Sequence, residues 1–149
     1  MIQHVEVYRR EGEFVAWPAN YGLWIWGDEA VVVFSQGFRG EQEGLHARDK
    51  TRPFIGRQAR SFDGGVTWRD DGPFTGKIPG GTSLSGDEHV IEALQSQPNI
   101  VVERDIPVCD TPIDFTDPET LVMCARTGLD RGSISWFYVS RDRARSWQG

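Results

Sequence analysis

Cysteine, methionine and histidine are scarce in this chain, and long apolar runs are absent: of 149 residues, two are Cys, two are Met and three are His. Cys109 and Cys124 have no His or Cys beside them at metal-ligand spacing. No metal site, and no other cofactor, is therefore expected. The pair reads as two free thiols, with a disulfide as the alternative. No segment approaches the roughly 20 apolar residues that span a bilayer. Met1-Ile2-Gln3-His4-Val5-Glu6 lacks the charged-then-apolar order of a secretory leader. The expectation is a chain that is cytoplasmic or has lost a leader. Positive charge is also short. Sixteen Lys and Arg face 22 Asp and Glu, a net charge of −6. Nucleic acid and anionic membrane are thereby disfavoured as partners, since both call for a cationic excess. An anionic substrate stays compatible where arginines gather locally.

Aromatic residues are plentiful, with six Trp and eight Phe. They suit packing between sheets, and one or two could serve as platforms for sugar rings. Leu23-Trp24-Ile25-Trp26 and Ala30-Val31-Val32-Val33-Phe34, parted by Gly27-Asp28-Glu29, predict a hairpin. Their continuous apolar character predicts strands covered on both faces. A third strand is expected from Ile55 to Ser61 and a fourth from Trp68-Arg69.

Ser61-Phe62-Asp63-Gly64-Gly65-Val66-Thr67-Trp68 follows the third strand, and Ser140-Arg141-Asp142-Arg143-Ala144-Arg145-Ser146-Trp147 repeats its pattern, S-x-D-x-(G/A)-x-(T/S)-W, 79 residues on. An Asp carboxylate and a Ser or Thr hydroxyl can cap backbone N–H groups in a tight turn, and Gly65 accepts a positive φ at no steric cost. Ala144 stands in its place in the second copy, which predicts a strained or differently shaped turn. Before that copy come strand-like runs at Pro112–Phe115, Leu121–Ala125 and Ile134–Val139, with a turn at Asp117-Pro118-Glu119 and a loop from Gly128 to Gly132. The chain therefore reads as all-β, in two four-stranded antiparallel units, about 14–72 and 101–149. A polar excursion over about 73–100 separates them, with 87–94 as its only helix-like stretch.

The repeated turn resembles the Asp box of sialidase-like β-propellers, which in that superfamily is structural and lies away from the active site. The resemblance implies a six-bladed propeller of which this chain holds about two blades, and hence an N-terminal fragment of a glycoside hydrolase, inactive alone. It also implies a carbohydrate substrate. The family's Arg-Ile-Pro triplet, whose arginine grips a substrate carboxylate, is replaced here by Ala16-Trp17-Pro18. A bidentate contact of roughly 1.5 to 3 kcal/mol is missing as a result, and a non-sialic substrate is favoured. The family's nucleophilic tyrosine and its partner glutamate come from later blades. The resemblance covers essentially the whole chain for fold, but of the family's functional residues only Arg39, in Gly37-Phe38-Arg39, and Asp49, the one aspartate in the loop after it and the match to the family's acid, carry over.

In an antiparallel meander, the first-to-second and third-to-fourth turns share one end of the sheet. The boxes mark that end, so the loop Gln36–Phe54 and the lead-in Phe14–Tyr21 should occupy the other. Asp49, Glu43 and His46 are candidates for an acid that protonates a leaving oxygen, beside Glu41. Arg39 and Arg52 are candidates for holding substrate, with Arg126 from the second unit. Asn20 offers donor and acceptor to a sugar hydroxyl. Trp17 has two open roles, stacking on a sugar or filling a sheet interface. A solvated charged loop is the plain alternative for 36–54. The rival function is a non-catalytic module that binds glycan or protein, and exposed sheet faces predict self-association. A β-sandwich is the rival fold.

Overall fold

The computed structural model describes residues 2–41, 47, 49, 51–52, 55–77, 111–126 and 135–148. These residues are mainly antiparallel β-sheet, with two 3-10 turns as their only helical structure. The first sheet holds β1 (Glu13–Ala16), β2 (Gly22–Trp26), β3 (Glu29–Phe38), β4 (Ile55–Ser61) and β5 (Arg69–Pro73); the second holds β6 (Leu121–Arg126) and β7 (Ser135–Ser140). The all-β class read from the sequence is what the described residues form, and among them neither sheet closes on itself.

β3 is long enough to carry two partners on one edge. β2 pairs with Glu29–Val33 and β1 with Ser35–Phe38, so the two make one interrupted outer strand of a four-ribbon meander. The interruption is Trp17, at φ 55°, followed by a 3-10 turn over Pro18–Asn20. Pro18 has no N–H to give a ladder, so the strand breaks there. The residues before it still find the free edge of β3. The lead-in expected to be loop is therefore partly strand.

β3 is buried on both faces, as its apolar run predicts. Val31 and Val33 join Tyr21, Phe74, Leu121, Met123, Tyr138, Ala144 and Trp147 in the core between the sheets. Val32, Phe34 and Ala59 face the other way, under Val7, Tyr8 and Trp68. Phe74 belongs to a 3-10 turn, Phe74–Lys77, and its ring lies 5.0 Å from Tyr138 and 5.6 Å from Trp147. The inter-sheet core thus reaches into the region expected as excursion; residues 78–110 lie outside those described. The strand expected at Pro112–Phe115 is also absent. There the Asp114 carboxylate accepts from the Thr116 N–H at 2.8 Å and from its hydroxyl at 2.6 Å. A side chain that takes up the backbone donor competes with a ladder, and the segment turns instead. The turn at Asp117-Pro118-Glu119 does form, closed by the Thr120 N–H on the Asp117 carbonyl at 3.0 Å.

Charged groups join the sheets as well as apolar ones. Arg60 is 2% exposed and is held by Glu29 at 2.6 Å and by Asp71 at 3.0 Å. A register shift between Gln58 and Ala59 leaves Asp71 outside the β4–β5 pairing and turns its carboxylate toward Arg60 and Gln58. From the second unit, Arg143 and Arg145 reach Glu29 at 3.1 and 3.2 Å. Buried charges endure when paired and hydrogen-bonded, as the Arg60 guanidinium is at each of its nitrogens. Burial pushes the Glu29 carboxyl up, but the hydrogen bonds from Arg143 and Arg60 outweigh it and hold it below the ordinary glutamate range.

Candidate functional site

The two S-x-D-x-(G/A)-x-(T/S)-W turns have one hydrogen-bond plan. In the first, the Asp63 carboxylate accepts from the Thr67 N–H at 2.8 Å and its hydroxyl at 2.5 Å, while the Ser61 hydroxyl oxygen accepts from the Gly65 N–H at 2.9 Å. In the second, Asp142 accepts from the Ser146 N–H and hydroxyl at 2.9 and 2.6 Å, and Ser140 from the Ala144 N–H at 2.8 Å. Gly64 and Gly65 have φ of 69° and 86°; Arg143 and Ala144 have 54° and 60°. Of the two outcomes expected for Ala144, the turn is strained and keeps its shape. Left-handed backbone in an L-residue costs roughly 1 to 2 kcal/mol, which the buried contacts of Ala144 offset.

The first turn lies at the same end of the sheet as the β2–β3 hairpin, because the Gly64 N–H donates to the Asp28 carbonyl at 2.9 Å. Its own polar groups are consumed internally. The Asp63 carboxyl is held down at about 2, chiefly by the Thr67 hydroxyl. A site is therefore to be sought at the other end, where β3 finishes and β4 begins.

At that end the loop folds back on the strand. The Arg39 N–H donates to the Gly12 carbonyl at 2.9 Å, and the Asp49 N–H to the Phe38 carbonyl at 2.8 Å. The Arg52 guanidinium lies over the Phe38 ring, 3.0 Å from its centroid. Asp49, Arg52 and the exposed Arg39 are thus gathered around Phe38. Asp49 accepts from the Thr51 N–H at 2.8 Å and from the Thr51 hydroxyl at 2.6 Å. The Thr51 hydroxyl leads in holding its carboxyl below the usual aspartate range. A leaving-group acid needs the opposite shift. In this arrangement Asp49 is an ionised acceptor that fixes a turn and can receive a hydroxyl donor.

Trp17 follows Ala16, which pairs with Ser35, and its ring lies 5.6 Å from Phe14. Glu41 is exposed. Glu43 and His46 lie outside the described residues, as do the side chains of Asn20 and Arg126.

A second polar cluster beside Phe38 carries no sequence signal. Arg57 makes a two-pronged contact with Asp70, at 2.8 and 2.5 Å, and its third nitrogen lies 3.5 Å from the Gln36 side-chain oxygen. Arg10 joins Asp70 at 3.1 Å. The Tyr8 ring lies under Arg57, 4.9 Å from centroid to guanidinium, and its hydroxyl donates to Glu13 at 2.7 Å. Burial, then the bond to Glu13, pushes the Tyr8 phenol up to about 12. A phenol so raised stays protonated, which unsuits it as a nucleophile. Asp70 and Asp71 are both taken up by guanidinium groups, and among the described residues no three acidic, Cys or His side chains converge on a metal position.

Comparisons with protein families, with curated proteins and with solved structures give no match for this chain.

Proposed function

We propose that this chain supplies two repeat units of a sialidase-like, carbohydrate-active β-propeller, with sugar received at the Phe38 end of the first sheet. The observation that carries this reading is the common hydrogen-bond plan of the two turns, each following a strand and each ending in a Trp that enters a core cluster, Trp68 on the first sheet and Trp147 between the sheets. Repetition at that level of detail supports a repeat architecture over a sandwich of unlike strands. With the turns at one end, the loop of Arg39, Asp49 and Arg52 at the other is the place for ligand. Guanidinium groups and an ionised carboxylate suit hydroxyl-rich ligands.

A specific observation favours the non-catalytic form of this reading. Asp49 is stabilised as a carboxylate by Thr51, and Tyr8 is held as a neutral phenol, its hydroxyl donated to Glu13. Neither of these two groups is poised to donate a proton to a leaving oxygen. The chain by itself then binds glycan without cleaving it, and catalysis belongs to a complete constellation.

Two assays on the purified chain test this. Hydrolysis across a panel of aryl glycosides should be undetectable; turnover that disappears in Asp49→Asn would sink the non-catalytic reading. Binding to immobilised neutral and acidic glycans should be measurable and should weaken about tenfold in Arg39→Ala/Arg52→Ala, the loss of one or two charge-assisted hydrogen bonds. Binding that ignores both substitutions would place the ligand elsewhere.

A further inference from the structure

The repeat relates the faces of the two sheets. Matching Ser61 to Ser140 sets Arg60 against Val139, Ala59 against Tyr138 and Gln58 against Phe137. Ala30 pairs with Ser61 and Leu121 with Ser140, so Val31, Val32 and Val33 correspond to Val122, Met123 and Cys124. Leu121, Met123 and Tyr138, which the second sheet packs on the first, thus correspond to Ala30, Val32 and Ala59. Those residues lie on the face of the first sheet that points away from the second. The contact joins two unlike faces, head to tail. Among the described residues, such a heterologous contact leaves one face of each kind without a sheet packed on it.

Both remaining faces are defined by named residues. On the second sheet, Phe137 is 58% exposed and Cys124 beside it is exposed. On the first, Val32, Phe34 and Ala59 are covered by a strap, residues 5–10, which belongs to no strand. The strap is held by the Tyr8 ring 5.4 Å from Phe34, by the Tyr8–Glu13 hydrogen bond and by Arg10 on Asp70. The two repeat tryptophans register the difference. Trp147 is fully buried, and its indole N–H crosses to the Gln58 side-chain oxygen at 3.3 Å. Trp68 is half-buried, and its N–H turns back to the Gly65 carbonyl at 2.9 Å. The first sheet therefore carries a face covered by the strap residues Val7 and Tyr8 and by Trp68 in place of a second sheet.

We propose that the strap occupies a docking face for a second copy of this chain, and that its release lets copies associate head to tail through the Phe137 face. That face has the exposed Phe137 where the first sheet has Gln58, and the already buried Val139 where it has Arg60. The new contact is accordingly apolar, and Gly65 keeps its hydrogen bond from Trp68. The apolar character matches Val32, Phe34 and Ala59, which the strap uncovers.

Sedimentation of the full chain tests the proposal. The wild-type protein should be monomeric, and Tyr8→Ala, which removes both the ring and the phenol from the strap, should raise the weight-average mass to about twice the monomer value or more. Tyr8→Ala/Phe137→Lys should return to monomer. Should Tyr8→Ala not fold, Val7→Asp, placed in coil outside both sheets, releases the strap by another route. A folded strap variant that stays monomeric overturns the proposal. So does association that persists with Phe137→Lys, or a wild-type chain that already associates through Phe137.

Discussion

Arg60 donates to the carbonyl oxygens of Arg143 and Ala144, at 2.9 and 3.2 Å, from 83 and 84 residues away in the chain. One buried guanidinium thereby holds the left-handed corner of the second turn while its remaining nitrogens are occupied by Glu29 and Asp71. Gln58 adds a bond of 2.8 Å to the same Ala144 carbonyl.

Removing that guanidinium should separate the sheets' polar contact. Arg60→Met leaves two buried carboxylates short of a partner, a loss of about 3 kcal/mol. Urea midpoints measure it, and Arg60→Lys should recover only part, because an ammonium lacks the planar fork that reaches carboxylates and carbonyls together. A loss below about 1 kcal/mol for Arg60→Met would mean that the apolar core alone joins the sheets.

The two repeat tryptophans should differ in worth. Trp147→Ala empties a fully buried position between Trp24, Phe74 and Gln58 and should cost about 3 to 5 kcal/mol. Trp68→Ala, at a half-buried ring, should cost about 1 to 2 kcal/mol. Equal costs in parallel thermal melts would contradict the difference in packing between the two units.

Glycine at the corner of the first turn should be replaceable at a modest cost. A Cβ on Gly65 would meet nothing closer than the Trp68 ring at 3.7 Å, and Ala144 already holds the matching position. Gly65→Ala should therefore lose only the left-handed strain, about 1 to 2 kcal/mol. Gly22→Ala should lose more, since its Cβ would fall 2.6 Å from the Trp24 ring. The order of the two melting temperatures is the test.

Stability should fall at both extremes of pH. Asp63 is held at about 2, and hydrogen bonds also hold Asp70, Asp71 and Asp142 below their usual range, against the burial that raises Asp71 and Asp142. Carboxyls depressed by folding stabilise above the unfolded value of about 4, and that contribution is lost as pH drops through the folded values. Urea midpoints should decline between about pH 4 and pH 2. Tyr8, raised to about 12, works in the other direction: its contribution is complete below about 10 and is lost as pH rises through the folded value. Ultraviolet titration should show a phenol ionising near 12 that is missing in Tyr8→Phe. A flat acid limb would show that the carboxylate bonds do not hold in solution.

Much of the first sheet was legible from local pattern. The apolar hairpin, the β4 run into Ser61 and both turns follow from residue types that act over a few positions. The misses share a cause. β1 forms because β3 has a long free edge, which no pattern within Glu13–Ala16 announces. Pro112–Phe115 looks apolar enough for a strand, yet Asp114 captures the local donor from Thr116. Phe74 sits in a polar-looking stretch and is nonetheless core, because Tyr138 and Trp147 come to it from the second unit.

At the candidate site the division is similar. The topology placed Arg39, Asp49 and Arg52 at the end opposite the turns, and the structure gathers them around Phe38. Their state was another matter, since the grip of Thr51 on Asp49 depends on backbone geometry. The Arg57–Asp70–Tyr8–Glu13 cluster had no sequence signal at all.

What the sequence by itself determined is the apolar strand runs, the turns and the recurrence of their pattern, for these rest on sterics and hydrogen bonds between residues a few positions apart. Only the tertiary structure decided which faces are covered, which carboxylates are ionised by their neighbours and which tryptophan is buried. Those properties depend on groups such as Arg60 and Ala144 that meet across the fold, and contact at that separation is set by how whole sheets stack.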